Sequence, residues 1–453
     1  MATTAASDDL QMRSDGDSQN ESQLETTEPR WSLAKRIAFR FCFVYFCLFI
    51  ALTQMLGSLI SIPKVDIPDI ATLLPVRTVI LWTAVHIFRI TQQPVYEGSG
   101  SGDKIFDWVM VFCALVTAAL ATAVWSVLDR RRSHYRRMLK WFQVFLRFAL
   151  ARQMIVYGCF KLFPLQMSFP RLGQLLEPYG NQSPMGVLWN FIGASPGYEF
   201  ICGAVEFLSG ILLFIPRTAL LGALATAAVA GQIFILNMTY DVPVKLLSFH
   251  LILMALFLAA PEFSRIARFF FGSRAVEASV QPKLFRSARA NRIALAVQMV
   301  LALWLIGSNL YATASFWTDS KKDVALPQLH GIWTVERMTI DGHERAPLIG
   351  DYGRWRKVIF DSGEYLSFMR MDDSRKGYEC KVDGKSQNLA LTDGKDKKWT
   401  GNLHYAISSP DRLMLEGKLG AETVSMELKR VDHTKLELVG RGFHWVQEYP
   451  YNR

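Results

Sequence analysis

Apolar runs long enough to cross a membrane are the feature of this sequence that most constrains its fold. Between Phe41 and Ala312 the hydrophobic residues concentrate in runs of about 18 to 22 residues. A helix needs that length to cross roughly 30 Å of hydrocarbon at about 1.5 Å per residue. The clearest runs are 41–60, 107–128, 142–160, 199–215, 219–238, 245–260 and 293–313. They predict a membrane α-helical bundle of about seven transmembrane helices.

An eighth segment, 72–90, is interrupted by ionisable residues and one proline: Pro75, Arg77, His86 and Arg89. The segments 129–141 and 262–292 are strongly basic and are expected in the cytosol, together with the N-terminus. These constraints agree only if 72–90 does not cross the membrane. We therefore predict that it forms an interfacial or re-entrant helix on the outer side, and that residues 314–453 lie outside the cytosol.

This layout divides the chain into three regions. Residues 1–38 are predicted to be a disordered cytosolic tail, because residues 1 to 29 are polar, poor in aromatics and rich in Ser, Thr, Asp and Glu. Residues 39–313 form the predicted transmembrane bundle, and residues 314–453 form an extracytosolic β-domain. We expect a multi-pass protein of the cell (inner) membrane whose C-terminal domain is periplasmic or extracellular.

The net charge of +10 does not indicate nucleic-acid binding. The basic residues cluster in short segments beside the apolar runs, where Lys and Arg orient a membrane protein. A basic groove with interleaved aromatic residues, as expected for a nucleic-acid partner, does not appear outside these flanks. The partner that this charge pattern predicts is the lipid bilayer.

Short alternating segments separated by turn signals occupy the outer domain. The segments include 357–360, 365–369, 378–382, 413–416, 423–428 and 436–439. They predict about eight to ten antiparallel strands in an all-β barrel or sandwich. The domain opens with Gly331-Ile332-Trp333, which resembles the first-strand motif of lipocalins. A lipocalin-like barrel is one alternative, and a generic barrel or sandwich is the other.

The tryptophans of this domain have two interpretations. Core packing is the first, and a cavity for a small apolar ligand is the second. The residues concerned are Trp333, Trp355, Trp399 and Trp445.

Ionisable side chains inside the apolar runs are costly, so each suggests a functional site. Arg152 lies near the middle of the third run and Glu206 lies in the outer half of the fourth. Because either charge alone would cost several kcal/mol, we expect the two to pair or to share a water-filled cavity. The pair is interpreted either as a structural clamp or as a proton or ligand site.

A second polar group gathers at the outer ends of the helices. Asp241 and Lys245 are four residues apart, so they can form an ion pair on one helical face if that helix begins before Pro243. His250 lies deeper, where a hydrogen-bonded core histidine is the alternative to a base or ligand. By depth alone, the polar groups are predicted to line one outward-facing pocket: Arg152, Tyr157, Lys161, Glu206, Asn237, Tyr240, Asp241, Lys245 and His250.

The six cysteines show no metal-ligand spacing, and no metal site is predicted. Cys159 and Cys202 fall near the outer ends of adjacent spans. They could form a redox-active thiol pair if their Cα atoms lie within about 7 Å. The alternative is that both are small apolar residues of packed helices.

Three motifs resemble the DoxX family of four-helix membrane proteins. They are Tyr157-Gly158-Cys159-Phe160-Lys161, the stretch 206–210, and the stretch 237–245 with its Asn…Tyr-Asp pattern. The resemblance covers about residues 142–262. It implies association with membrane oxidoreductase subunits and, from the thiosulfate:quinone oxidoreductase branch, contact with a quinone.

Our leading hypothesis is an accessory or quinone-contacting component of a membrane redox system. A quinone would place its apolar tail between helices and its ring against Lys245, His250 or Tyr240. The first alternative is a protein that binds or transports a small apolar ligand with its outer β-domain. The second is a structural envelope protein. The sequence leaves open whether the chain is an enzyme.

Overall fold

The computed structural model of the protein describes residues 30–60, 67–272, 275–276, 283–321, 328–396 and 398–452. Apolar and helix-favouring residues fold the first two thirds of these into helices. The helices are α1 (Leu33–Leu52), α2 (Gln54–Ile60), α3 (Val76–His86), α4 (Ile105–Leu128), α5 (Arg136–Leu162), α6 (Leu172–Leu175), α7 (Pro184–Gly193), α8 (Pro196–Phe214), α9 (Ala219–Thr239), α10 (Lys245–Ala259), α11 (Phe263–Phe271), α12 (Ala288–Ser320) and α13 (Glu437–Gly440).

Five helical stretches of the described chain are long and apolar enough to cross a membrane. They are Ile105–Leu128, Pro196–Phe214, Pro216–Thr239, Lys245–Phe271 and Ala288–Ser320. The pair α1 and α2 adds a sixth if it counts as one span, although its axis bends by 78°. The predicted span 142–160 lies within the 27 residues of α5. The buried Arg147, Arg152 and Gln153 make α5 too polar to be counted among the five helical stretches above. The predicted helical membrane part is confirmed, and its orientation stays a prediction.

The segment 72–90 contains α3, which has 11 residues. At about 1.5 Å per residue such a helix is too short to cross the hydrocarbon. Its side chains Val79, Trp82 and Val85 are exposed. Placement at the outer interface stays a prediction.

The described residues form two compact units, within the following bounds. The first consists of Met1–Gln153, Ser209–Gly231 and Pro243–Leu305. The second consists of Met154–Leu208, Gln232–Val242 and Ile306–Arg453. The second unit therefore combines the C-terminal β-domain with the last turns of α5 and most of α8.

The β-domain is a closed antiparallel barrel. Its strands are β1 (Gly331–Ile340), β2 (His343–Glu344), β3 (Trp355–Ser362), β4 (Tyr365–Arg370), β5 (Arg375–Asp383), β6 (Asn388–Thr392), β7 (Thr400–Ser409), β8 (Arg412–Leu419) and β9 (Glu422–Val431). The strands follow a meander, and the pairing of β1 with β9 closes a barrel of eight strands, with β2 appended to β1. Closure pairs β1 and β9, the first and last of the eight barrel strands, and leaves these strands around a side-chain-filled interior. The barrel is thereby confirmed and the sandwich alternative is wrong.

The alternating pattern fills the barrel with apolar side chains. Trp333 and Trp355 are buried in this core, and Trp399 packs half-buried against it. Trp333 donates from Nε1 to the Leu329 carbonyl at 2.8 Å, and Arg430 of β9 lies over its ring at 5.5 Å. Core packing is confirmed for these tryptophans.

Two predictions for the C-terminal segment are wrong. Trp445 is 90% exposed because it follows the last strand and lies outside the barrel. Residues 436–439 do not form a strand, since β9 already completes the barrel and Glu437–Gly440 form a short helix.

Candidate functional site

Two glycines bring α5 and α8 into backbone contact. A Cβ on Gly158 would lie 2.7 Å from the backbone nitrogen of Phe207 and 2.9 Å from the Gly203 carbonyl oxygen. A Cβ on Gly203 would lie 2.7 Å from the Cβ of Lys161. Small residues allow membrane helices to approach this closely. The crossing places the side chains that follow each glycine by one turn next to the opposite helix.

Lys161 and Glu206 are those two side chains, and they form an ion pair. The Nζ atom of Lys161 lies 2.7 Å from Oε1 and 2.9 Å from Oε2 of Glu206. Lys161 is 6% exposed and Glu206 is 2% exposed. Bidentate pairing compensates two charges that burial would otherwise penalise by several kcal/mol each. The predicted pocket residues Lys161 and Glu206 are therefore brought together.

Other predicted pocket residues belong to the same compact unit. The ring centre of Tyr157 lies 6.0 Å from Lys161 Nζ, at the limit of a cation–π contact. Asn237 is buried near the end of α9, and Tyr240 follows it half-buried. Asp241 is exposed and has a positive φ of 52°. Convergence of Asn237, Tyr240 and Asp241 on the Lys161–Glu206 pair stays a prediction.

Glu199 is a functional candidate that the sequence interpretation missed. It is fully buried at the start of α8, seven residues before Glu206 and so on the same helical face. Its Oε1 accepts a hydrogen bond of 2.9 Å from the backbone nitrogen of Met167. Its Oε2 has no hydrogen-bond partner among the described residues. The sequence feature that could have identified Glu199 is its seven-residue spacing to Glu206. It was passed over because Glu199 is the first residue of the predicted span 199–215, where exposure to solvent is expected.

Lys245 has a partner far away in sequence. The helix α10 begins at Lys245, after Pro243, so Asp241 and Lys245 do not share one helix, and an ion pair between them stays a prediction. Within the first unit, the Asp103 carboxylate accepts from the backbone nitrogens of Lys245 and Leu246 at 2.8 and 2.9 Å, and lies 3.8 Å from Lys245 Nζ. An acidic side chain at this position satisfies the free N–H groups of a helix start.

His250 is a satisfied core histidine of the first unit. Its Nδ1 lies 2.6 Å from the Leu246 carbonyl oxygen and its Nε2 lies 2.6 Å from the Tyr45 hydroxyl. A carbonyl oxygen can only accept, so Nδ1 carries the proton and Nε2 accepts from Tyr45. The ring also stacks on Phe49, with 3.8 Å between ring centres. The structural alternative for His250 fits these contacts.

Arg152 also lies in the first unit. It donates from Nε to the Ser58 carbonyl at 2.9 Å, in the bent α1–α2 region. Glu206 belongs to the second unit and pairs with Lys161. A shared site for Arg152 and Glu206 stays a prediction.

Cys159 is buried and Cys202 is half-buried, and neither belongs to a disulfide within the described part of the chain. Cys202 lies one residue before Gly203, so it belongs to the α5–α8 crossing region. The predicted redox exchange between Cys159 and Cys202 stays a prediction. Among the described residues, no group of three His, Cys, Asp or Glu side chains could hold a metal ion.

The barrel contains polar groups of its own. The hydroxyl of Tyr405 lies in the core without a hydrogen-bond partner among the described residues, although Tyr405 is fully buried. Buried tyrosine hydroxyls usually find a partner.

At one end of the barrel Lys376 pairs with Asp393 at 2.7 Å. The hydrogen bond from Lys376 holds the pKa of the Asp393 carboxyl below its usual range.

Comparison with known proteins gives one informative relative. No family model matches the chain, and no solved structure matches it at a significant level. The uncharacterized protein YwoB of Bacillus subtilis (strain 168) is 35% identical over 112 residues. Those residues make up 25% of this chain and 71% of YwoB. The chain therefore belongs to the same protein family as YwoB.

Proposed function

We propose that the protein binds a small lipid-soluble ligand of the quinone class beside the Lys161–Glu206 pair. In this role it is a non-catalytic or accessory component of a membrane redox system, with membrane oxidoreductase subunits as partners. The observation that carries the proposal is the buried ion pair between two helices of the apolar part of the chain.

A buried ion pair gives little stability in itself. Replacing such a pair by apolar side chains of similar volume is often neutral or stabilising, because the desolvation penalty rivals the attraction. Ionisable groups at membrane depth therefore suggest a site for a proton, an ion or a polar ligand. The adjoining Gly158–Gly203 contact fixes both helices, so the pair has a rigid support.

The chemistry of these side chains fits a quinone ring. A quinone presents two carbonyl oxygens, which accept hydrogen bonds. The Lys161 ammonium has three N–H donors, of which contact with two carboxylate oxygens uses two. The Tyr157 hydroxyl and the Asn237 amide are further donors of the same unit. Apolar helix surfaces suit an isoprenoid tail.

In this proposal the ring contact is not made by Lys245 or His250, the two predicted contact residues that belong to the first unit. Lys245 and His250 already have the partners Asp103, Tyr45 and Leu246. Lys161 takes their place as the donor to the ring, and Glu206 holds the Lys161 side chain in position through the ion pair. A bound quinone would supply two-electron, two-proton carrier chemistry.

The test is mass spectrometry of small molecules that copurify with the full chain in mild detergent. A quinone should copurify with the wild type and be lost from Lys161→Met and Glu206→Gln. The matched control is Lys245→Met, which removes a lysine of an ion pair in the other unit. If wild type and all three variants carry the same small molecules, the proposal is wrong.

A second candidate function rests on Tyr405. Its unpartnered hydroxyl in the barrel core favours a carrier whose barrel holds a small apolar ligand with one polar atom. In that case a lipophilic fluorescent probe should bind the full chain, and Tyr405→Phe should weaken binding about 10-fold, the usual effect of losing one hydrogen bond. Equal binding by both proteins would leave no support for the carrier.

A further inference from the structure

We infer that Glu199 is a ligand-contacting carboxylate of this site, and that the ligand is recognised in its hydroxyl-bearing, hydroquinone form. This inference rests on the proposed function. It concerns the oxidation state that the site prefers, which the Lys161–Glu206 pair by itself does not decide.

The first observation is the state of the Glu199 carboxylate. One oxygen accepts from the Met167 backbone at 2.9 Å, so the side chain is held in place. In the ionised carboxylate the other oxygen can only accept, and it has no partner among the described residues, on a side chain with 0% exposure. An unsatisfied buried acceptor carries the full desolvation penalty, so a donor is needed at this position.

The second observation is that Glu199 belongs to the same group of charges as the ion pair. Glu199 lies seven residues before Glu206 on α8, and it interacts electrostatically with Lys161. Cys202 stands between the two glutamates in sequence and lies within electrostatic range of Glu199, Glu206 and Lys161. The open acceptor on α8 and the lysine on α5 therefore belong to one polar group.

The chemistry of the acceptor selects the ligand. A quinone has only carbonyl oxygens on its ring, and these cannot donate to a carboxylate. A hydroquinone has two hydroxyl groups, each of which donates one hydrogen bond and accepts another. One hydroxyl can donate to Glu199 while a ligand oxygen accepts from Lys161. Sites that hydrogen-bond a ligand hydroxyl discriminate strongly against analogues that lack it.

The experiment compares binding of a short-chain benzoquinone and its hydroquinone to the detergent-solubilised full chain, without oxygen, by quenching of intrinsic tryptophan fluorescence. The wild type should bind the hydroquinone at least about 10-fold more tightly, the effect of about one charged hydrogen bond. Glu199→Gln should abolish or reverse this preference, because the amide can donate to a quinone carbonyl. The control is Glu177→Gln, since Glu177 belongs to the same unit but pairs with Arg375 of the barrel at 3.5 Å.

Two failures can be told apart. If the wild type binds neither form, the proposed function itself is wrong. If the wild type binds both forms equally, or Glu199→Gln keeps the wild-type preference, the inference is wrong and the proposed function stands. Should Glu199→Gln fail to fold, Glu199→Asp provides the test: it keeps the carboxylate but withdraws it by one methylene, so the preference should shrink. An unchanged preference in Glu199→Asp would contradict the inference.

Discussion

Lys161 packs directly against Gly203: its Cβ is 2.7 Å from the position that a Cβ on Gly203 would take. That position is also 2.8 Å from the Gly158 carbonyl oxygen and from the Leu162 nitrogen. A real Cβ atom does not come within 3.0 Å of such neighbours, so any side chain at residue 203 must separate the two helices. The geometry of the ion pair thus depends on a residue that carries no charge.

Gly203→Ala is therefore expected to destabilise the protein. Overpacking at a close helix crossing costs typically about 1–3 kcal/mol, and here the neighbours are mostly backbone atoms that cannot move aside. The control is Gly231→Ala, because a Cβ on Gly231 has no neighbour within 4 Å and alanine is the better helix former by about 1 kcal/mol. Thermal unfolding in detergent should show a lower Tm for Gly203→Ala and an equal or higher Tm for Gly231→Ala. Equal losses in both variants would contradict the close approach.

The Lys161–Glu206 pair predicts that a double replacement is better tolerated than a single one. Lys161→Met leaves the Glu206 carboxylate buried without this counter-charge, which costs roughly 3–5 kcal/mol. Lys161→Met combined with Glu206→Leu removes both charges and should recover most of that loss. Unfolding of the two variants and the wild type in one detergent measures the difference. A double variant no more stable than Lys161→Met would show that the pair is not the main interaction of Glu206.

The contact between Tyr45 and His250 predicts a stability loss without any change in the quinone site. Tyr45→Phe removes the donor to a buried histidine nitrogen, at a cost of about 1–3 kcal/mol. Tyr311→Phe is the control, since Tyr311 lies on an exposed helix face. The measurement is again thermal unfolding, with copurifying small molecules determined in parallel. Loss of a copurifying ligand in Tyr45→Phe would contradict this prediction and would indicate that His250 is part of the ligand-binding site.

Patterns that repeat along the chain predicted the fold, whereas contacts between residues far apart in the sequence could not be predicted from such patterns. Apolar runs and strand alternation are local, so the helices and an antiparallel β-domain followed from them, whereas closure into a barrel rests on the pairing of β1 with β9. The partner of Lys245 is Asp103, 142 residues earlier, and no local pattern encodes that distance. Similarly, Lys161 meets Glu206 only because Gly158 and Gly203 let two helices touch.

The site itself was predicted in part for the same reason. Depth along each helix identified Lys161 and Glu206 as members of a polar group. Depth does not give rotation about the helix axis, and rotation decides which side chains meet. For Glu199 the depth argument gave the wrong environment. Its position at the end of a predicted span suggested exposure to solvent, but its side chain is fully buried and accepts a hydrogen bond from the Met167 backbone.

The Lys376–Asp393 pair predicts how the stability of the barrel depends on pH. The hydrogen bond between them lowers the pKa of Asp393 below its ordinary 3.8 and raises the pKa of Lys376 above its ordinary 10.5. A lowered acid pKa stabilises the folded state above pH 3.8, and this contribution disappears as the pH falls through the folded value. A raised lysine pKa stabilises below pH 10.5, and this contribution disappears as the pH rises through the folded value.

Both contributions are therefore complete in the neutral range. Lys376→Met should lower the unfolding temperature at neutral pH, and the difference from wild type should shrink as the pH falls below 3.8 and Asp393 becomes protonated. Unfolding of the full chain followed by tryptophan fluorescence at several pH values measures this, because Trp333, Trp355 and Trp399 all belong to or adjoin the barrel core. The control is Lys435→Met, whose lysine is 81% exposed and lies 3.9 Å from Asp432 after the last strand. A Lys376→Met effect that stays constant across this pH range would mean that Lys376 acts through packing on Tyr378, 5.1 Å from its ammonium, and not through the charge of Asp393.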